Sequence, residues 1–66
     1  MNWDQILGNW EQVKGRVQTQ WGKLTDDDMK VIAGKRTELS GLIQKRYGHA
    51  KDVTEKEIDA FTSALV

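Results

Sequence analysis

A helix stop followed at once by a helix start, at residues 20–29, constrains the fold of this chain most strongly. Gly22 follows the last residue of an apolar stripe, where a glycine can adopt the left-handed backbone that ends a helix. Thr25 and Asp28 have the spacing of a capping box, in which each side chain bonds the other residue's backbone N–H. The three aspartates at 26–28 place negative charge where the helix dipole is positive. The stretch therefore predicts a tight corner between two helices.

Apolar residues at helical spacing predict the helices on either side of this corner. The first stripe ends at Trp21, and the longest predicted helix runs from Lys35 to Tyr47. Thr54 and Glu57 form the most complete capping-box pattern in the chain, which predicts the start of the last helix there. The predicted core positions are Trp10, Val13, Val17, Trp21, Met29, Ile32, Ala33, Leu39, Leu42, Ile43, Tyr47, Ile58, Phe61 and Leu65.

The two halves of the chain resemble each other at an offset of 26 residues. Trp21-Gly22 matches Tyr47-Gly48, and Gly15 matches Gly41. A single helical hairpin cannot bury its own stripe, so two similar hairpins would share one core. The prediction is an all-α fold, a small four-helix array of two roughly orthogonal hairpins, in a single domain over residues 1–66. A plain up-down bundle is the alternative.

Charge and composition exclude several classes of protein. Ten basic and ten acidic residues give a net charge of zero, which argues against a protein that coats nucleic acid through its overall field. There is no cysteine for a disulfide or a thiolate site, and no apolar run approaches the roughly 20 residues of a membrane span. We therefore expect a cytoplasmic protein. Only 38% of residues are hydrophobic, so we expect a lean core and either marginal stability or ordering helped by a partner.

No pattern of residues predicts catalysis, a metal site or a cofactor. His49 is the only histidine, and no cysteine, serine or second histidine lies at a suitable spacing to be its partner, so we expect a solvated loop residue. The acidic run at 26–28 lacks the alternating oxygen ligands of a calcium loop. The prediction is a protein that is not an enzyme, with no catalytic, metal-binding or cofactor-binding residues.

Five residues form the candidate interaction surface. A tryptophan near the start of the chain would be a natural anchor for a partner if it is exposed, and two basic pairs bracket the third predicted helix. These residues are Trp3, Lys35, Arg36, Lys45 and Arg46. Arg46 lies within the apolar arc of its helix, so we expect it either to extend its charged end to solvent or to pair with a carboxylate such as Asp28 or Asp52. Gly15, inside a helix, indicates either a close helix–helix approach or simple tolerance of a costly residue.

Four stretches closely resemble the CsbD-like family of small bacterial proteins: residues 9–17, 20–28, 34–36 and 46–48. The resemblance covers roughly residues 8 to 57, and the order and spacing of the four stretches make it specific. It implies a protein of the general stress response that is abundant under stress, with a four-helix fold similar to SAM-domain-like proteins. It brings no catalytic or binding residues with it. The apolar tail at 60–66 matches no family motif.

Three functional hypotheses follow. The leading one is a non-enzymatic stress-response protein that acts as an interaction or protective module. The second is nucleic-acid binding through the basic residues of the third helix, with an affinity that falls steeply with salt. The third is association with a protein or a membrane surface through Trp3 and the apolar tail.

Overall fold

Five α-helices surround one apolar core in the computed structural model, which describes residues 1–65. The helices are α1 (Trp3–Gly8), α2 (Trp10–Gln20), α3 (Asp26–Ile32), α4 (Arg36–Tyr47) and α5 (Lys51–Ala64). These residues contain no β-strand, so the all-α prediction is confirmed. There are five helices rather than four because Asn2 and Gln5 complete a capping box that starts a separate short helix. The arrangement in two crossed hairpins and the internal repeat stay predictions.

The core takes side chains from every helix and from the corner between α2 and α3. It consists of Ile6, Val13, Val17, Trp21, Leu24, Met29, Ile32, Leu39, Ile43, Ile58 and Leu65. The closest packing joins α4 to α5 and α3 to α4. Trp10, Leu42, Tyr47 and Phe61 are half-buried against this cluster, whereas Ala33, a predicted core residue, is exposed.

The α2–α3 corner has the predicted capping box but not the predicted glycine. Thr25 Oγ1 accepts from the Asp28 N–H at 3.1 Å, and Asp28 Oδ2 accepts from the Thr25 N–H at 3.0 Å. α2 ends at Trp21 with an ordinary negative φ, and Gly22 does not adopt a left-handed backbone. The prediction for Gly22 is therefore wrong. Instead, the Leu24 N–H bonds the Trp21 carbonyl, and both side chains are buried.

The left-handed positions lie at the ends of α3 and α4. Ala33 and Gly34 have φ values of 44° and 83° and turn the chain into α4, and Gly48 (φ 68°) ends α4 as expected of an αL cap. Gly34 lies against α1, since a Cβ built on it would fall 2.7 Å from Leu7 Cδ1. Only glycine therefore fits this position without a shift of its neighbours.

The predicted capping box at Thr54 does not form, because α5 begins a full turn earlier, at Lys51. Thr54 is completely buried, and both its N–H and its hydroxyl donate to the Ala50 carbonyl, at 3.0 and 2.9 Å. Burial of this face of α5 in the core extends the helix past the box pattern. The Glu57 side chain is consequently free for other contacts.

We predict that Thr54→Val changes the free energy of unfolding by less than about 1 kcal/mol, because the Thr54 N–H still satisfies the Ala50 carbonyl and the lost hydroxyl leaves no partner unpaired. Thr25→Val is the matched control and should cost about 1 kcal/mol through the lost cap. Urea unfolding followed by circular dichroism measures both. A larger loss of stability for Thr54→Val than for Thr25→Val would indicate that Thr54 caps the start of α5 after all.

The accessible surface of the chain is 4242 Å². A folded monomer of this mass, 7.5 kDa, is expected to expose about 4200 Å². The chain thus reaches the compactness of a typical monomer alone. The expectation that a partner helps to order it finds no support in the surface area.

Candidate functional site

The five candidate interaction residues lie in two groups, with Trp3, Lys35 and Arg36 near the start of α4 and Lys45 and Arg46 in its last turn. Trp3 is half-buried against the core, and its indole N–H donates to the Gly34 carbonyl at 2.7 Å. This bond joins α1 to the turn between α3 and α4. Trp3 therefore uses its polar edge inside the chain, and only part of its ring faces solvent.

The two arginines of the candidate surface make ion pairs within the chain. Arg36 Nη2 lies 2.8 Å from Asp59 Oδ1 and 3.3 Å from Glu55 Oε1, which ties the start of α4 to α5. Arg46 donates from Nε and Nη2 to the two carboxylate oxygens of Asp28, at 3.0 and 2.9 Å. Of the alternatives predicted for Arg46, pairing with Asp28 is the one that the structure shows.

Lys35 and Lys45 remain as exposed cations of the candidate surface. Lys35 precedes the first residue of α4, and Lys45 lies in its last turn. Ten residues of helix separate them, which corresponds to about 15 Å along the axis. Lys35 and Lys45 are therefore two separate charges, and the two arginines are paired with carboxylates. The four basic residues do not form a continuous basic patch.

Asp28 joins two helices through one carboxylate. It caps its own helix by accepting from the Thr25 N–H, and the same group accepts the bidentate bonds of Arg46 from α4. The hydrogen bonds from the Arg46 guanidinium and from the Thr25 backbone lower the pKa of Asp28 to about 2. The same contact raises the pKa of Arg46.

This network predicts a dependence of stability on acid. A carboxyl whose pKa falls from 3.8 to about 2 on folding stabilises the fold above pH 4, and this contribution is lost as the pH falls through 2. Asp28→Asn should lower the melting temperature at pH 7 and flatten its fall between pH 4 and 2. Asp27→Asn, in the same turn but exposed, is the control. Parallel pH profiles for wild type and Asp28→Asn would contradict the role of the carboxylate.

His49 lies in the loop between α4 and α5, but its side chain is bound to α5 and is not freely solvated as predicted. Its Nδ1 lies 2.7 Å from Glu57 Oε1, and its ring packs 5.5 Å from that of Tyr47. Tyr47 in turn accepts from the Lys23 N–H through its hydroxyl. This cluster connects the α2–α3 corner and the end of α4 to α5.

Within residues 1–65 no three His, Cys, Asp or Glu side chains are placed to hold a metal ion together.

An open groove of about 640 Å³ lies between α2 and α3, a surface that the sequence does not indicate. Trp10 and Met29 supply its apolar floor, and Gly15 leaves one position of its α2 wall without a side chain. The four charged residues that line it are Glu11, Lys14, Asp26 and Lys30. The volume falls in the range of about 300–1,000 Å³ that is usual for small-molecule sites.

The surroundings of Gly15 decide between the two interpretations of this glycine. A Cβ at Gly15 would have no atom within 4 Å, so within residues 1–65 no other helix approaches it closely. Of the two interpretations of this glycine, close approach within the chain is therefore wrong. Its position between the first groove and a smaller one of about 360 Å³ against α5 was not accessible to sequence analysis.

Five short helices around one core, with an amphipathic groove on one side, define a small all-α protein. A model of the CsbD-like family matches residues 4–56. The chain therefore belongs to the CsbD-like family. No helix within residues 1–65 is long and apolar enough to cross a membrane.

Similar proteins occur in several bacteria. The UPF0337 protein YjbJ of Escherichia coli O6:H1 is 61% identical over 61 residues, which are 92% of this chain and 88% of that protein. The UPF0337 protein ECA0631 of Pectobacterium atrosepticum is 60% identical over 58 residues, 88% of this chain and 84% of that protein. The UPF0337 protein RPA4217 of Rhodopseudomonas palustris is 51% identical over 65 residues, 98% of each chain. No solved structure matches the chain.

Proposed function

We propose that this protein works without catalysis, as a small interaction or protective module of the bacterial stress response. The observation that supports the proposal is that several charged side chains and the histidine are held in pairs that join one helix to another. Arg46 and Asp28 join α4 to α3, Arg36 joins α4 to α5, and His49 binds Glu57 of α5. Groups held in such pairs stabilise a scaffold, and the membership of the CsbD-like family supports a role in stress.

The two alternative functions receive less support from the geometry. Nucleic-acid binding would need the four basic residues of the α4 region, two of which are neutralised by carboxylates. Membrane association would need an exposed apolar tail, but Leu65 is buried and Phe61 packs against Trp21 with ring centroids 5.1 Å apart. Val66 lies outside the described residues.

A deletion strain tests the proposal. Loss of the gene should reduce survival after at least one of heat, osmotic or oxidative stress, and the wild-type gene on a plasmid should restore it. Purified protein, added at equal molar amounts to a heat-labile enzyme, should reduce light scattering at the temperature where that enzyme aggregates. Serum albumin at the same concentration is the control. Unchanged survival under all three stresses, together with unchanged scattering, would contradict the proposal.

A further inference from the structure

A single residue, Asn9, separates α1 from α2, since α1 ends at Gly8 and α2 begins at Trp10. The hydrogen bonds on either side of Asn9 already have the spacing of an α-helix. Its N–H donates to the Gln5 carbonyl, and its carbonyl accepts from the Val13 N–H, both at 3.0 Å. The backbone of Asn9 has φ −115° and ψ 27°. A change to helical values of about −63° and −42° would therefore join α1 and α2 into one helix.

Two features of the chain favour this joined helix. Apolar residues follow each other at intervals of three and four through the break, so both helices belong to one helical stripe. These residues are Trp3, Ile6, Trp10, Val13 and Val17. The backbone N–H groups of Trp10 and Glu11 have no hydrogen-bond partner within residues 1–65, because α2 has no side-chain cap. In the joined helix they would donate to the carbonyls of Ile6 and Leu7.

The α1 seat is the surface around Gly34, in the turn between α3 and α4, on which α1 lies. The Trp3 indole N–H donates to the Gly34 carbonyl at 2.7 Å, Leu7 lies against Gly34, and Ile6 is completely buried in the core. None of these contacts requires α1 and its seat to belong to the same chain. A second copy of this chain carries the same three side chains on its own α1. Its α1 is therefore an occupant that matches the seat in every contact.

We propose that two copies of this chain exchange α1, so that each copy places its α1 on the seat of the other. In the exchanged dimer α1 and α2 form one helix over residues 3–20, and each contact of α1 with its seat is made between chains. The gain is the pairing of the Trp10 and Glu11 N–H groups. The cost is the loss of independent motion of two monomers, so the exchange depends on protein concentration. This dimer goes beyond the proposed stress role, which a monomer can fill.

Asn9 and Asn2 offer a matched pair of variants. The Asn9 side-chain amide donates to the Gln5 carbonyl at 2.9 Å and thus closes the end of α1 in the monomer. Asparagine is also less favourable than alanine inside a helix. Asn9→Ala should therefore weaken the closed hinge and favour the joined helix. Asn2 caps the first turn of α1, which is the same in monomer and dimer, so Asn2→Ala should weaken both equally.

Sedimentation equilibrium of the full chain, from about 10 μM to 1 mM, measures the exchange as a monomer–dimer equilibrium. Wild type should be monomeric at the low end and dimerise towards the high end. Asn9→Ala should lower the dissociation constant about tenfold, because each dimer contains two hinges. Asn2→Ala should leave the constant within about twofold of wild type, because the cap is the same in both states. Two glycines inserted after Gly8 lengthen the hinge and should abolish the dimer.

NMR of mixed chains distinguishes exchange from side-by-side association. When ¹³C-labelled and unlabelled chains are mixed at the highest concentration, isotope-filtered spectra should show the Leu7 methyl groups of one chain close to Gly34 of the other. This is measured for wild type and for Asn9→Ala, and circular dichroism first confirms that each variant is folded.

Three outcomes would overturn the proposal. The first is that wild type and Asn9→Ala both stay monomeric at the highest concentration. The second is that Asn2→Ala or the glycine insertion dimerises as readily as Asn9→Ala. The third is a dimer in which the contact between Leu7 and Gly34 stays within one chain. If Asn9→Ala does not fold, wild type and the glycine insertion decide the question in the same two measurements.

Discussion

Gly34→Val should lower the free energy of unfolding by about 2–5 kcal/mol. The left-handed backbone at this position costs a residue with a Cβ about 1–2 kcal/mol. The added carbon would also fall 2.7 Å from Leu7 Cδ1, and overpacking of this kind costs about 1–3 kcal/mol more. The whole stability of a chain of 66 residues is about 3–10 kcal/mol, so this substitution should remove a large part of it.

Gly22→Val is the matched control for this prediction. Gly22 lies in the other corner, has no left-handed backbone and has open space around its Cα. Its replacement should change stability by less than about 1 kcal/mol. Urea unfolding followed by tryptophan emission measures both variants. Equal losses for the two would mean that the turn after α3 is not the constrained one.

Trp21→Ala should be the most damaging truncation in the core, with a loss of about 3–5 kcal/mol. The indole is 2% exposed and packs on Phe61 of α5, with ring planes tilted by 57°. Its removal leaves a cavity between the end of α2 and the last helix. Trp10→Ala should cost less, because that ring is only half-buried. The two variants are compared by thermal melting, and a larger loss for Trp10→Ala would contradict this account of the core.

Local sequence patterns predicted those parts of the fold that local interactions decide. The Thr25–Asp28 box forms because its two partners are three residues apart on the chain. The apolar stripes of α2 and α4 are buried as their spacing indicates, apart from their half-buried members. Pairing of Arg46 with a carboxylate was one of two outcomes predicted for a charge in an apolar arc, the other being extension of its charged end to solvent.

Other features were decided by contacts between distant segments. Gly34 follows the apolar stripe of α3 and could be predicted to end that helix, but its contact with Leu7 of α1 has no signal in the sequence. Thr54 has the sequence of a cap, but its burial against the core outweighs the cap. Leu24 could have been predicted as core, since with Met29 it occupies the two apolar positions that flank a capping box.

The candidate surface was the least predictable part. Its cations were chosen by their spacing along α4, and spacing carries no information about the carboxylates that α3 and α5 bring to Arg46 and Arg36. The groove arises from the separation of α2 and α3, which is a property of the assembled helices. The one sequence feature that could have indicated the groove was Gly15, a glycine with no packing role inside the chain.

The double use of the Asp28 carboxylate has a consequence for how the molecule opens. A helix of seven residues is too short to persist alone in water, so α3 exists only while it is docked. Because one carboxylate closes its first turn and also binds α4, the turn cannot fray without breaking the contact between the two helices. The amide protons of Thr25 and Asp28 should therefore exchange with solvent at the slow rate of the core amides in α4, although Thr25 itself lies at the surface.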